Sequence, residues 1–219
     1  MTDPVNILVP FYSTYGHTQL LAEAAAEGAA SVDGAEVRLA RFRELPPMPG
    51  AEMYNKGRHD ALSKAGEARA GHVPFAELAD LAWAHGIVWG TPTRFGNMCA
   101  QMKWFLDSAV MTWKRGELEG KPTGILTSSG TLHGGQETTI LTSLVPMLHL
   151  GMVFLGTPYG ENPQMMATDK ALGGSPYGPS TIAAGDPDAD VKSEERDQAR
   201  ALGRRVARYA MAAKAAGLI

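Results

Sequence analysis

Three short segments of this chain carry the groups that could do chemistry. The first is Ser13-Thr14-Tyr15-Gly16-His17-Thr18, which follows the apolar run Val5–Tyr12 and leads straight into an alanine-rich stretch. A strand, a polar turn and a helix start in that order aim backbone N–H groups and a positive helix end at one point, which suits an anion. Ser13, Thr14 and Thr18 add hydroxyl donors, and Gly16 lets the backbone come close. The loop has no lysine and no G-x-x-x-x-G-K-[ST] pattern, so a nucleoside-triphosphate cradle does not fit. A single phosphate held by neutral donors does.

The second segment is Thr91-Pro92-Thr93-Arg94-Phe95-Gly96-Asn97. Pro92 and Gly96 punctuate a turn, Arg94 supplies a cation, and Phe95 beside exposed amides suits a flat ring with a hydrogen-bonding edge. The third, Ser128–Gln136, brings Ser128, Ser129 and Thr131 together with backbone groups freed by Gly130, Gly134 and Gly135. Each has a plainer reading on its own: Phe95 packed under its loop, Arg94 paired with a surface carboxylate, an ordinary glycine-rich turn. The case for a site rests on the three occurring together.

The elements around them decide whether they meet. Strand patterns fall at Val5–Tyr12, Ala35–Arg41, Gly86–Gly90 and Thr123–Ser129, and a fifth starts at Met152–Leu155. Helical spacing falls at His17–Ala30, Phe75–Ala84, Asn97–Met111, Gln136–Leu150 and from Ser193 onward. Strands alternating with helices predict a doubly wound α/β domain on a five-stranded parallel sheet, with too few units for a barrel. In such sheets ligands bind beyond the carboxyl ends of the strands, where all three loops should emerge. Two irregular stretches, 42–72 and 156–191, read as insertions in a single domain spanning 1–219, and loops that long are usually functional, disordered or engaged with a partner.

Composition narrows the classes. The 219 residues are 44% hydrophobic and 20% charged with a formal net charge of −3, which is ordinary for a soluble globular protein and gives no basic face for nucleic acid. The basic cluster Arg200–Arg208 alternates with apolar residues as a solvated helix face does. One cysteine, Cys99, excludes an internal disulfide and a cysteine metal site, and it reads as a small buried hydrophobe. The six histidines lack a metal-ligand spacing, so no metal is expected. The first residues lack a basic leader, and no apolar run approaches the ~18–20 residues of a membrane span, so the cytoplasm is the expected compartment. Trp83, Trp89 and Trp104 read as packing residues.

The motifs S-T-Y-G-H-T, G-T-P-T-R-F-G-N-M, S-G-T-L-H-G-G-Q-E and G-G-S-P-Y-G-P-S-T-I together resemble the WrbA-type NAD(P)H:quinone oxidoreductases, flavodoxin-like proteins that bind FMN. The resemblance runs from Asn6 to the final helix. It implies that Ser13, Thr14, Tyr15, Gly16, His17 and Thr18 hold the FMN phosphate, and that Tyr15 also contacts the nicotinamide nucleotide. Thr93, Arg94 and Phe95 would line the isoalloxazine, within a cofactor-binding segment that also includes Pro92, Gly96 and Asn97, with Ser128, Ser129, Gly130, Thr131, Leu132 and His133 on its other side. His149 would reach the site from the end of the fourth helix and hydrogen-bond a quinone oxygen. Trp113 would face the substrate and sandwich it with Phe95. One departure stands out: family members commonly read G-T-G-G-G-Q-E where this chain has the one-residue-longer Gly130-Thr131-Leu132-His133-Gly134-Gly135-Gln136-Glu137, a bulkier rim that would alter substrate access.

The activity this implies is FMN-dependent two-electron reduction of quinones by NAD(P)H in a ping-pong cycle. It also implies a homotetramer, whose subunit contacts would use the two insertions and help close the pocket. Two other classes share the phosphate loop. One is a flavodoxin-type electron carrier, though such carriers are usually small and strongly acidic. The other is an FMN-binding regulatory or interaction module.

Overall fold

The computed structural model describes residues 4–46, 49, 56–183 and 190–219, with backbone alone at 56–59 and 61–63. Four parallel strands lie side by side: β1 (Val5–Phe11), β2 (Ala35–Arg41), β3 (Gly86–Pro92) and β4 (Pro122–Ser129), in the order β2-β1-β3-β4. The register runs Val5↔Ala35 to Phe11↔Arg41 and Ile87↔Thr123 to Pro92↔Ser128. Two short segments fill the fifth position. β5 (Val153–Phe154) pairs with Pro122 and Thr123, and β6 (Ser180–Ile182) pairs with Thr127, Ser128 and Ser129. β4 already spends its other edge on β3, so both segments lie on the same outer edge, and residues 155–179 leave and rejoin the sheet between them.

Helices cover both faces. Along β1, Ile7, Val9 and Phe11 join one core cluster and Leu8 the other, as the two-residue period of a strand requires. The first cluster is closed by α1 (His17–Ala30) and α7 (Ser193–Ala215), which supply Leu21, Leu202 and Val206. The second is closed by α3 (Leu78–Trp83), α4 (Ala100–Asp107) and α6 (Gln136–His149), with Leu81, Met102 and Ile140. Every residue of β3 and β4 is buried, as central strands of a parallel sheet covered on both faces are, which is why neither shows an apolar–polar alternation.

The structure departs from the sequence reading in four places. The helix expected over Asn97–Met111 is two pieces, α4 and α5 (Val110–Lys114). At the break, Ser108 Oγ donates to the Trp104 carbonyl (2.9 Å), a local bond that competes with helix continuation. The expected helix Phe75–Ala84 starts only at Leu78, because Phe75 bridges the end of β2 at Arg41. The irregular stretch 42–72 contains α2 (Lys56–Ala70), whose sequence has no apolar stripe to announce it; residues 47, 48 and 50–55 lie outside the described residues. Within the stretch 156–191, residues 157–182 fold back on α7, and residues 184–189 lie outside the described residues. There the buried Glu195 carboxylate accepts from Gly173 N (2.8 Å), Thr181 Oγ1 (2.7 Å) and Lys192 N (3.2 Å). Gln198 Nε2 donates to Thr157 Oγ1 (2.8 Å) and the Ser175 carbonyl (2.9 Å). No described helix is long and apolar enough to cross a membrane.

Candidate functional site

Because β1, β3 and β4 are adjacent and parallel, the loops after Phe11, Pro92 and Ser129 leave the sheet at one edge. The first reverses direction at Gly16, whose φ of +103° is left-handed and favours glycine. Ser13 Oγ accepts from Gly16 N (3.0 Å), shaping the turn, and α1 then begins without a side-chain cap. The first N–H groups of α1 therefore stay available to an outside acceptor. His17 is buried at this helix start, and its Nε2 has no hydrogen-bond partner among the described residues.

The second loop is a two-residue hairpin. Arg94 N donates to the Asn97 carbonyl (2.8 Å) and Asn97 N to that of Arg94 (3.1 Å), leaving Phe95 (φ +53°) and Gly96 (φ +73°) as the central pair. Positive φ at both centres is the I′ geometry that glycine and asparagine normally serve. Phe95 adopts it with its ring wholly in solvent, at 108% relative exposure. The residue is thus strained and unpacked at once, a combination that points to an external partner for the ring.

The third loop is braced from inside. Ser129 Oγ bonds Thr131, donating to its carbonyl (3.1 Å), and Gln136 Nε2 donates to the carbonyls of Thr131 and Leu132 (2.9 Å each). Gly134 lies so close that an added Cβ would sit 1.9 Å from Ser129 Oγ. Thr131, Leu132 and His133 are left exposed on the rim.

Cross-links tie the three loops into one wall. Thr18 Oγ1 and Ser128 Oγ share a hydrogen bond of 2.8 Å, and Thr93 N donates to the Ser128 carbonyl (2.8 Å). Arg94 spans two loops, with Nη2 on Thr14 Oγ1 (3.0 Å) and Nη1 on the Thr93 carbonyl (2.9 Å). Thr142 Oγ1 on α6 donates to the Gly96 carbonyl (2.9 Å) and fixes the hairpin. Burial raises the Cys99 thiol, just behind this wall, above its ordinary pKa, which makes it a packing residue and not a thiolate.

A residue absent from the sequence reading joins the wall from α2. A Cβ built on Gly16 would lie 2.4 Å from Arg69 Nη1, so the guanidinium rests directly against the turn. Gly66 makes this approach possible, since a Cβ there would lie 2.5 Å from the Thr14 carbonyl oxygen. The loop itself has no cation and was expected to offer neutral donors alone; the fold instead sets two arginines, Arg69 and Arg94, beside it. On the far side of Thr14 a cleft of about 440 Å³ opens between Tyr12, Arg41, Phe42, Lys64, Glu67 and Phe75. Burial and the adjacent Glu44 carboxylate raise the Tyr12 hydroxyl above its usual pKa, keeping it a donor to Glu44.

His149 and Trp113 do not join this wall within one chain. α6 starts at the site edge and runs back along the sheet, and its 14 residues carry His149 about 20 Å away at 1.5 Å per residue. There Gly120, just before β4, donates to the Gly151 carbonyl (2.9 Å), which places the helix end at the opposite edge of the sheet. Trp113 and His149 meet in an open groove of about 400 Å³ with Leu106, Val110, Val145 and Pro146. Of the tryptophans expected to be packed, Trp89 is buried, whereas Trp104 is half exposed. Among the described residues no group of three or more His, Cys, Asp or Glu side chains could hold a metal ion.

Similarity to known proteins agrees with this arrangement. A protein from Aromatoleum aromaticum called NAD(P)H dehydrogenase (quinone) is 47% identical over 212 residues, covering 95% of this chain and 97% of its own. One of the same name from Geobacter metallireducens is 45% identical over 210 residues, covering 94% and 98%. Among solved structures, a WrbA-like flavodoxin from Agrobacterium tumefaciens superposes with a TM-score of 0.63 at 22% identity, covering 95% of this chain and 98% of that one, which supports the fold. The model for NADPH-dependent FMN reductases matches residues 12–163. From the first loop to the helical turns beyond β5, the chain belongs to the NADPH-dependent FMN reductase family.

Proposed function

We propose that this chain is an FMN-dependent NAD(P)H:quinone oxidoreductase. The carrying observation is the wall of three cross-linked loops at one sheet edge, each offering what one part of the cofactor needs. The residues present fit FMN. The uncapped start of α1, the hydroxyls of Ser13, Thr14 and Thr18 and the orphaned His17 Nε2 suit its phosphate. The hairpin Pro92–Asn97 and the rim Ser128–His133 would flank its ring. When bound, FMN supplies the two-electron chemistry.

The protein's part is to hold and orient. Exposed Phe95 offers a flat apolar surface against which planar rings stack, and Arg94 ties that hairpin to the phosphate loop. Tyr15 contacts the nicotinamide nucleotide at the mouth of the loop. Donor and quinone would share one planar slot, so they take turns, which gives ping-pong kinetics.

We assign His149 and Trp113 to the site of a neighbouring copy in a homotetramer. Their distance from their own loops supports this. So does the apolar face around them, where Val110, Met111, Trp113, Val145 and Leu148 are all more than half exposed. In that arrangement His149 hydrogen-bonds the quinone oxygen and Trp113 closes the slot over Phe95. The two core clusters share one sheet, which supports a single domain over 1–219. The reading needs no nucleic-acid partner and places the reaction in the cytoplasm, where nicotinamide nucleotides are available.

The test is steady-state turnover of the FMN-loaded protein with NADPH and 1,4-benzoquinone, alongside its mass by light scattering. Parallel double-reciprocal plots and a four-chain mass are expected. Bound flavin that NAD(P)H leaves oxidised would overturn the enzyme reading in favour of a carrier.

A further inference from the structure

We infer that Arg69, carried into the site by α2, is a ligand of the flavin phosphate and sets the preference for FMN over unphosphorylated riboflavin. This rests on the functional reading above and adds a binding residue that lies 51 positions beyond the loop, after Thr18.

Three observations carry it. The guanidinium sits against Gly16, the residue whose left-handed turn starts the anion-binding end of α1. The placement is enforced by backbone packing and not by side-chain reach: Gly66 presses on the Thr14 carbonyl, and Gln19 Nε2 on α1 reaches the Arg69 carbonyl at 3.4 Å. The guanidinium is also unclaimed, because among the described residues no ion pair involves Arg69, while Glu67 two positions earlier is taken by Arg41. A cation placed beside an anion site and paired with no described carboxylate is poised for the anion itself, and a guanidinium matches phosphate oxygens with paired donors.

A plainer role competes. Arg69 lies in the last turn of α2, where a cation complements the helix dipole. That role concerns the stability of α2 and is indifferent to whether the flavin carries a phosphate. The charge also answers a shortage in the loop, which contributes hydroxyls and amides but no cation against a phosphate dianion. Arg94 reaches the loop as well, but it is spent on Thr14 and Thr93.

The experiment is fluorescence-quenching titration of FMN and of riboflavin into flavin-free protein, wild type, R69M and R69K, at low and high salt. Loss of a charge-assisted hydrogen bond predicts about 10-fold to 100-fold weaker FMN binding for R69M. Riboflavin affinity should stay unchanged, the salt dependence of FMN binding should shrink, and R69K should recover part of the loss. Equal FMN affinity in wild type and R69M, or equal weakening for both flavins, overturns the inference while leaving the enzyme reading intact. Wild-type protein that binds neither flavin overturns both. Thermal melts of the flavin-free variants identify any loss that comes from unfolding.

Discussion

Phe95 offers a direct test of whether backbone strain has been retained for the sake of the site. Replacing it with asparagine turns the hairpin centre into Asn-Gly, the pair best suited to positive φ at both positions. A non-glycine side chain in the left-handed region costs about 1–2 kcal/mol, and asparagine avoids much of this. Normally the loss of a phenylalanine would more than offset that gain. Here the ring is 108% exposed, so no packing is forfeited. The expected net effect is stabilisation of about 1 kcal/mol, which for a chain of this length raises the melting temperature by roughly 2–4 °C. The assay is thermal denaturation of flavin-free protein by circular dichroism, paired with quinone turnover of the FMN-loaded variant. Turnover should fall as stability rises, because the stacking surface is gone. A lower melting temperature would refute the strain argument, and a stabilised variant with full turnover would refute the functional role of the ring.

Three further outcomes are expected. Gly203→Ala should destabilise the fold although it favours the helix by about 1 kcal/mol. The new Cβ would lie 1.9 Å from the Ala25 carbonyl oxygen where α7 crosses α1, and overpacking costs ~1–3 kcal/mol, so a lowered urea midpoint is predicted. Glu195→Gln sets an amide against backbone and hydroxyl donors, at a cost of about 1–3 kcal/mol, and should expose the Gly173–Ile182 loop to limited proteolysis; unchanged cleavage would mean the loop is held elsewhere. Lys121 donates to the carbonyls of Leu81 (3.1 Å) and Ala82 (3.2 Å), yet burial lowers its pKa from 10.5 to about 8. Between those values the unfolded chain binds more protons, so stability rises with pH there, and the cost of the buried charge is fully present below pH 8. Wild type should gain on K121M between pH 8 and pH 10 in paired urea titrations, and a flat difference would mean the two carbonyls hold the ammonium as well as water does.

Much of the site was legible in the chain because its signals are local. STYGHT lies within six residues of a strand end and a helix start, and TPTRFGN carries its own hairpin. α2 was not legible, because it is held by the absence of a side chain at Gly66 and not by an apolar stripe that periodicity could reveal. The split of the fifth strand escaped for a related reason: β5 and β6 are two and three residues long, too short to show a period.

The amino-acid sequence by itself determined the alternation of strands and helices, the parallel sheet and the edge at which three polar loops gather. These follow from hydrophobic periodicity and turn chemistry acting over a few residues. The tertiary structure alone decided which distant groups belong to that edge. It brought Arg69 against Gly16 through contact of two backbones. It also carried His149 and Trp113 to the far edge, because a helix returning between parallel strands must run antiparallel to them. Neither placement has a signature along the chain, since each depends on where a helix lies after packing and not on what it is made of.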